Sequence, residues 1–211
     1  MTTILITAFE PYDRWPENAS WLALVELTRD LPPEPRVITR RYPVDFEAAR
    51  ARLLEDLAAN YDFVLHLGQS PKISRVHLEA IGVNVAGNTE QAPDRFQPLV
   101  AGGPPAYQSA LPLAEWSAKI RELGIPCQVS YHAGTYLCNA LLYLTHHIVR
   151  EQGLKTKAAF IHVPLASSQV LGEHKDWPNL PSSQCAQAVR LILRQLGGPL
   201  ASTAAAFGGL A

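Results

Sequence analysis

Apolar strands and amphipathic helices alternate along this chain from end to end. Thr3–Phe9 is a short run rich in β-forming residues, and Pro11, Asp13 and Pro16 punctuate a loop after it. Asn18-Ala19-Ser20-Trp21 opens a helix that runs toward Asp30, with Asn18 as its N-cap and Pro32-Pro33 as its stop. Arg36–Tyr42 reads as a second strand. Phe46, Leu53, Leu54 and Leu57 then recur at helical spacing between Asp45, a second N-cap, and Asn60. Residues 62–68 form a continuous apolar run, the pattern of a strand covered on both faces, whereas residues 76–85 alternate as an exposed or antiparallel strand does. Further helices are expected at 115–123, 136–150 and 182–196, and further strands at 127–131 and 158–163.

This alternation predicts an α/β fold, a three-layer sandwich with a mostly parallel twisted sheet flanked by helices. No linker divides residues 1–200, which are expected to form a single domain. Residues 201–211, small and glycine-rich, are expected to be a flexible tail. Residues 86–109 carry Pro93, Pro98, Pro104 and Pro105, and a loop of that length in a compact domain is more often functional than not. In parallel sheets of this kind, sites form at the carboxyl ends of strands.

Composition narrows the function. The chain has 211 residues, and its 18 basic and 19 acidic side chains leave a net charge of -1, so no footprint for nucleic acid or anionic lipid is present. Every apolar run stops well short of the roughly 20 residues that span a bilayer. Three cysteines, an odd count, do not make a self-contained disulfide framework, and the N-terminus lacks the basic region and cleavage site of a secretory signal. A reducing cytoplasm is the expected compartment.

Three residues carry candidate chemistry. Cys138 joins a strand to a helix and falls in the first helical turn, where unpaired N–H groups and the helix dipole favour a thiolate by about 0.3–1 kcal/mol. The same position also suits a buried cysteine acting as a small hydrophobe. His162 ends the apolar run 158–161 directly before Val163-Pro164, where an α/β enzyme places a base. A histidine satisfied by backbone is the alternative. Glu79 interrupts the run 76–81, where a carboxylate is costly unless paired, and orienting a histidine is one use for it. A carboxylate facing solvent is the other. His66, inside a buried strand, reads as structural. His132, His146, His147 and His174 come without HExxH, CxxC or a carboxylate at ligand spacing, so no metal is expected. His146-His147 reads as a charge complement to a helix C-terminus. Gly102-Gly103 lacks the context of a phosphate loop, and Ser167-Ser168 begins no GxSxG elbow.

The chain resembles the pyrrolidone carboxyl peptidase (pyroglutamyl peptidase I) family of cysteine peptidases. The resemblance runs from Ile4 to about Leu196. It includes Thr7-Ala8-Phe9-Glu10-Pro11-Tyr12 with Asn18-Ala19-Ser20-Trp21, then His66-Leu67-Gly68-Gln69, Glu79 five residues before Asn84, and Gly102-Gly103-Pro104-Pro105-Ala106-Tyr107. Its most specific parts are residues 129–139 around Cys138 and Phe160-Ile161-His162-Val163-Pro164. It implies a Cys138 nucleophile, His162 as base and then acid, and Glu79 orienting that histidine, in release of an N-terminal pyroglutamyl group through a thioester. It implies further that Phe9, Tyr12, Tyr136 and Leu137 wall the substrate pocket, and that Gln69 and backbone near Asn18 read the lactam. Backbone N–H groups near Gln69 and Cys138 would stabilise the oxyanion. No cofactor, a peptide with a blocked N-terminus as partner and a homotetramer complete the expectation.

The chain also departs from the family. Pro71-Lys72-Ile73 replaces a Gly-Gly-Arg, and Glu90-Gln91-Ala92-Pro93-Asp94-Arg95 stands where the family has Asp-Ala-Arg-Ile-Pro-Asp-Asn, so that an arginine expected beside the site falls on Gln91. Tyr12 stands in place of phenylalanine. The rebuilt loop leaves an amidase for a different N-blocked substrate as one alternative, and the lost arginine leaves a low-turnover binding protein on the same fold as another.

Overall fold

The structure, a computed structural model, describes residues 1–88, 91–172 and 174–198. The tail expected over 201–211 lies outside them. In chain order the elements are β1 (Thr3–Phe9), α1 (Ala19–Thr28), β2 (Arg36–Tyr42), α2 (Phe46–Leu57), β3 (Phe63–Gln69), β4 (Val76–Glu79), β5 (Ile81–Val83), β6 (Ala106–Gln108), α3 (Leu113–Glu122), β7 (Cys127–Ser130), α4 (Leu137–Glu151), β8 (Lys157–Val163), β9 (Leu165–Ala166), β10 (Asn179–Leu180) and α5 (Ser182–Gly197).

The helix starts follow from their caps. The Asn18 side chain accepts a hydrogen bond from Ser20 N at 3.0 Å, and the Asp45 side chain accepts one from Ala48 N at 2.8 Å. Each satisfies an N–H that the helix itself cannot, which is worth about 1 kcal/mol.

Six strands form the main sheet in the order β2-β1-β3-β8-β4-β7. The first four are parallel; β4 runs against β8 and alongside β7. Strand alternation divides the interior in two. Ile4, Ile6, Phe63, Leu65, Ala159 and Ile161 face a core shared with α1, α3 and α5. Leu5, Phe9, Val64, Ala158 and Phe160 face a second core shared with α2 and α4. Helices therefore cover both faces, the three-layer α/β sandwich expected from the sequence.

Residues 76–85 differ from expectation. They form two strands, not one, and β4 is interior to the sheet, with Val76 and Leu78 fully buried. The chain leaves the main sheet at Ala80, whose N–H donates to Ser130 O while its carbonyl accepts from Ser109 N, and continues as β5 against β6. The loop over 86–109 therefore ends in a strand. His146 also departs from its reading as a charge complement. Helix α4 continues to Glu151, and burial pushes the His146 imidazole down to about 4, so it is neutral. His66 is structural: Thr145 Oγ1 donates to Leu141 O and so accepts from His66 Nε2–H, leaving Nδ1 to accept from Thr7 Oγ1 at 2.7 Å. Burial holds it at about 3. No helix among the described residues is long and apolar enough to cross a membrane.

Candidate active site

His162 is the penultimate residue of β8 and lies in register with Gly68 of β3 on one side and His77 of β4 on the other. Glu79 ends β4, two residues past His77 and so on the same sheet face. There its Oε1 lies 2.8 Å from His162 Nδ1. An ionised carboxylate only accepts, so Nδ1 carries the proton and Nε2 is left for another partner. Glu79 is 1% exposed, and its Oε2 finds no hydrogen bond among the described residues. Burial works to raise the Glu79 carboxyl, but the bond to His162 and that residue's charge outweigh it, helped by the Ser130 hydroxyl, and the group is held below its ordinary value.

Cys138 is the second residue of α4. The Tyr136 N-cap makes no side-chain capping bond, and the first bond closing the helix is Ala140 N to Tyr136 O at 3.0 Å. The N–H groups of Leu137, Cys138 and Asn139 are therefore not used by the helix, and its positive end lies at the thiol. Cys138 is half-buried, while Cys127 and Cys185 are buried and their thiols are pushed up by burial, that of Cys185 to about 12. Burial also works to lower the His162 imidazole. It is outweighed by attraction to Cys138, by a hydrogen bond to that residue and by Glu79, which together hold His162 at about 10. The structure thus brings together all three residues singled out for chemistry. A thiol at a helix N-terminus, an imidazole held charged beside it and a carboxylate fixing the imidazole are the parts of an activated nucleophile.

Two positioning features were not read from the sequence. Gly68 leaves room for the sulfur: a Cβ there would lie 3.1 Å from Cys138 Sγ and 2.5 Å from Phe160 Cζ. Asn139, fully buried, anchors the start of α4 to β5. Its Oδ1 accepts from Val83 N, and its Nδ2 donates to Val83 O and Val85 O.

Beside the thiol, Phe9, Tyr12, Asn18, Val44, Gln69, Tyr136 and Leu137 line, with Cys138, a recess of about 50 Å³. It adjoins a cleft of about 800 Å³ that also reaches Cys138 and is bordered further out by Pro11, Ser70, Pro71 and Asn88. All six residues expected to contact substrate line the recess; Val44, which no pattern marked, joins them. None of the residues lining the recess itself is an Asp or Glu; Asp13 and Arg14 border the outer cleft. Tyr136 is held by an edge-on contact with Phe46, ring centroids 5.1 Å apart. The Asn18 side chain accepts from Ser20 N in its cap and donates to Glu10 O. Burial raises the Tyr12 hydroxyl to about 12, with Cys138 adding to the shift, and it stays neutral. Gln91, where the family arginine was expected, is exposed and exchanges hydrogen bonds with Asn88: Asn88 N donates to its Oε1 and its own N–H donates to Asn88 Oδ1. Among the described residues no group of three or more His, Cys, Asp or Glu side chains is placed to hold a metal ion.

Comparison with known proteins gives the family and the fold. The chain is 35% identical to the pyrrolidone-carboxylate peptidase of Clavibacter michiganensis subsp. michiganensis, over 92% of each chain. It is 32% identical to pyrrolidone-carboxylate peptidase 1 of Ralstonia nicotianae, again over 92% of each. Among solved structures, the pyrrolidone carboxyl peptidase of Fervidobacterium islandicum superposes with a TM-score of 0.86 at 28% identity, covering 93% of this chain and 98% of that one. That of Thermococcus litoralis gives 0.82 at 30% identity, covering 93% of each. The family model described as pyroglutamyl peptidase matches residues 2–196, and the chain accordingly belongs to the pyroglutamyl peptidase family.

Proposed function

We propose that the protein is a cysteine omega peptidase that removes an N-terminal pyroglutamyl residue from peptides. The observation that carries this reading is the recess beside Cys138, apolar, free of acidic wall residues and holding a buried amide donor, Gln69 Nε2, with only the Tyr12 hydroxyl beside it. A lactam has no ammonium to anchor, and it brings a carbonyl for that donor.

The chemistry follows from the geometry. The Cys138 thiolate attacks the pyroglutamyl carbonyl carbon, and the oxygen takes the negative charge. N–H groups at the first turn of α4 are free to meet it, each such donor being worth about 2.7–4 kcal/mol. The Ser70 N–H is not, because it donates to Val163 O. His162 gives its proton to the departing amine as the C–N bond breaks, which leaves a thioester on Cys138. It then takes a proton from the water that attacks the thioester, releasing pyroglutamate and restoring the thiol pair. Glu79 holds the imidazole in one tautomer throughout. Action in a reducing cytoplasm and assembly as a homotetramer belong to the same reading, supported by three unpaired cysteines and by family membership.

The test is release of a fluorophore from a pyroglutamyl amide by wild type and Cys138→Ala in parallel, with iodoacetamide labelling of Cys138 below pH 8. Turnover lost in the variant supports the reading. Labelling without turnover would move the protein to another N-blocked substrate, the alternative favoured by the rebuilt loop over 84–98. Neither turnover nor labelling would make it a binding protein on this fold.

A further inference from the structure

A residue of the turn after β9 helps to fix which way Gln69 points. Gln169 lies in the short turn after β9. Its Oε1 accepts from Ala166 N at 2.8 Å, which fixes its own amide. Its Nε2 is thereby turned outward and donates to Glu17 O and to Gln69 Oε1, each at 2.9 Å. Gln69 Oε1 accepts a second bond from Ala19 N, the first amide of α1, at 2.7 Å. Two donors converge on that oxygen, so the Gln69 amide cannot turn over without facing N–H against N–H. Gln69 Nε2 is consequently held buried at the recess wall, where the Tyr12 hydroxyl is its one neighbouring partner and the second of its two N–H groups is left for a ligand.

A buried N–H left without an acceptor is costly, and the surrounding structure here holds the amide in that arrangement. We propose that Gln169 is a positioning residue for substrate selection: it locks Gln69 with its N–H₂ group turned to the recess and so sets the preference for a ring that carries a carbonyl. This rests on the pyroglutamyl reading above. It adds that selectivity depends on a residue that touches neither substrate nor thiol, and that joins the loop before α1 to the turn after the histidine strand.

The test is a double-mutant cycle of Gln69→Ala and Gln169→Ala, with Gln169→Glu as a third variant of nearly unchanged volume. KM and kcat are measured on a pyroglutamyl amide, and iodoacetamide labelling of Cys138 is followed in each protein. Gln169→Ala is expected to raise KM about tenfold, the scale of one lost hydrogen bond, with kcat and the labelling rate within about twofold. In the Gln69→Ala background the same change is expected to add less than about twofold, because it acts through Gln69. Gln169→Glu presents only oxygens to Gln69 Oε1, so it is expected to lose at least as much as the alanine. A role confined to filling space would have the glutamate restore the wild-type KM. Independent penalties in the cycle, or a glutamate variant that behaves as wild type, overturn the proposal while wild-type turnover leaves the pyroglutamyl reading intact. A folded wild type that labels at Cys138 but releases no fluorophore overturns both.

Discussion

Gly68→Ala adds one methyl group between the base and the nucleophile, and the structure says what that methyl meets. Its carbon would lie 2.5 and 2.7 Å from Phe160 Cζ and Cε1, and 3.1 Å from Cys138 Sγ. Non-bonded heavy atoms prefer about 3.5–4.0 Å, so the ring must move by roughly 1 Å and the sulfur by roughly 0.5 Å. The ring displacement falls in the packed core between α4 and the sheet, where overfilling costs about 1–3 kcal/mol. For a chain of this length that is a loss of about 2–4 °C in Tm per kcal/mol. The sulfur displacement acts on chemistry: a 1 Å error in a reacting atom costs about 100-fold, so half of that predicts about tenfold in kcat/KM. Thermal unfolding and fluorogenic turnover measure the two separately. Gly68→Ala with Phe160→Leu separates them further, since shortening the ring relieves the first clash and leaves the second. Tm should recover in the double variant while turnover stays low. Recovery of both, or an alanine variant as active as wild type, would refute the claim that Gly68 sets the sulfur's position.

Three further outcomes are expected. Glu79→Gln removes the anion bonded to His162 Nδ1, so the imidazole loses support for its charge and kcat/KM should fall by about 100-fold or more, with slower iodoacetamide labelling of Cys138 near pH 7; labelling at the wild-type rate would mean the carboxylate does not act through the histidine. His146 is held at about 4, against about 6.5 in the unfolded chain, so between these values the unfolded state binds the extra proton and stability falls as pH falls. His146→Phe should flatten that acid limb by about 1.4 kcal/mol per pH unit in urea unfolding from pH 4 to 7, and an unchanged slope would count against the assignment. Asn139→Asp keeps the acceptor for Val83 N but leaves Val83 O and Val85 O without their donor, so the urea midpoint should drop by the equivalent of at least about 2 kcal/mol; a smaller change would mean that water replaces the amide.

Local order was legible in the sequence wherever a local cause sets it. Asn18 and Asp45 announce their helices because an N-cap acts within three residues, and β1 and β2 kept their bounds because loop residues flank their β-forming runs. The break at Ala80 left no mark, since an alternating strand looks alike whether it stays in one sheet or passes to another. His146 was misread because a position near a helix end says nothing of the face, and this one turns inward. Cys138, His162 and Glu79 were each recognisable by type and position. Their meeting was legible only through the family resemblance, because it depends on β8 pairing with β3 on one side and β4 on the other, across long stretches of chain. Val44 and Gln169 carried no signal at all: a valine and a glutamine in loops acquire their roles only from what folds against them.

The position of β8 has a consequence for how this protein comes into being. Synthesis proceeds from the N-terminus, so β1 to β4, β7 and α4 all emerge before the strand that belongs in the middle of the sheet. Until β8 arrives, β3 and β4 have no common neighbour in the sheet order. Cys138 is already made at that stage, but its histidine is not. The last main-sheet strand to be made thus joins the two halves of the sheet and brings His162 to Glu79 and Cys138.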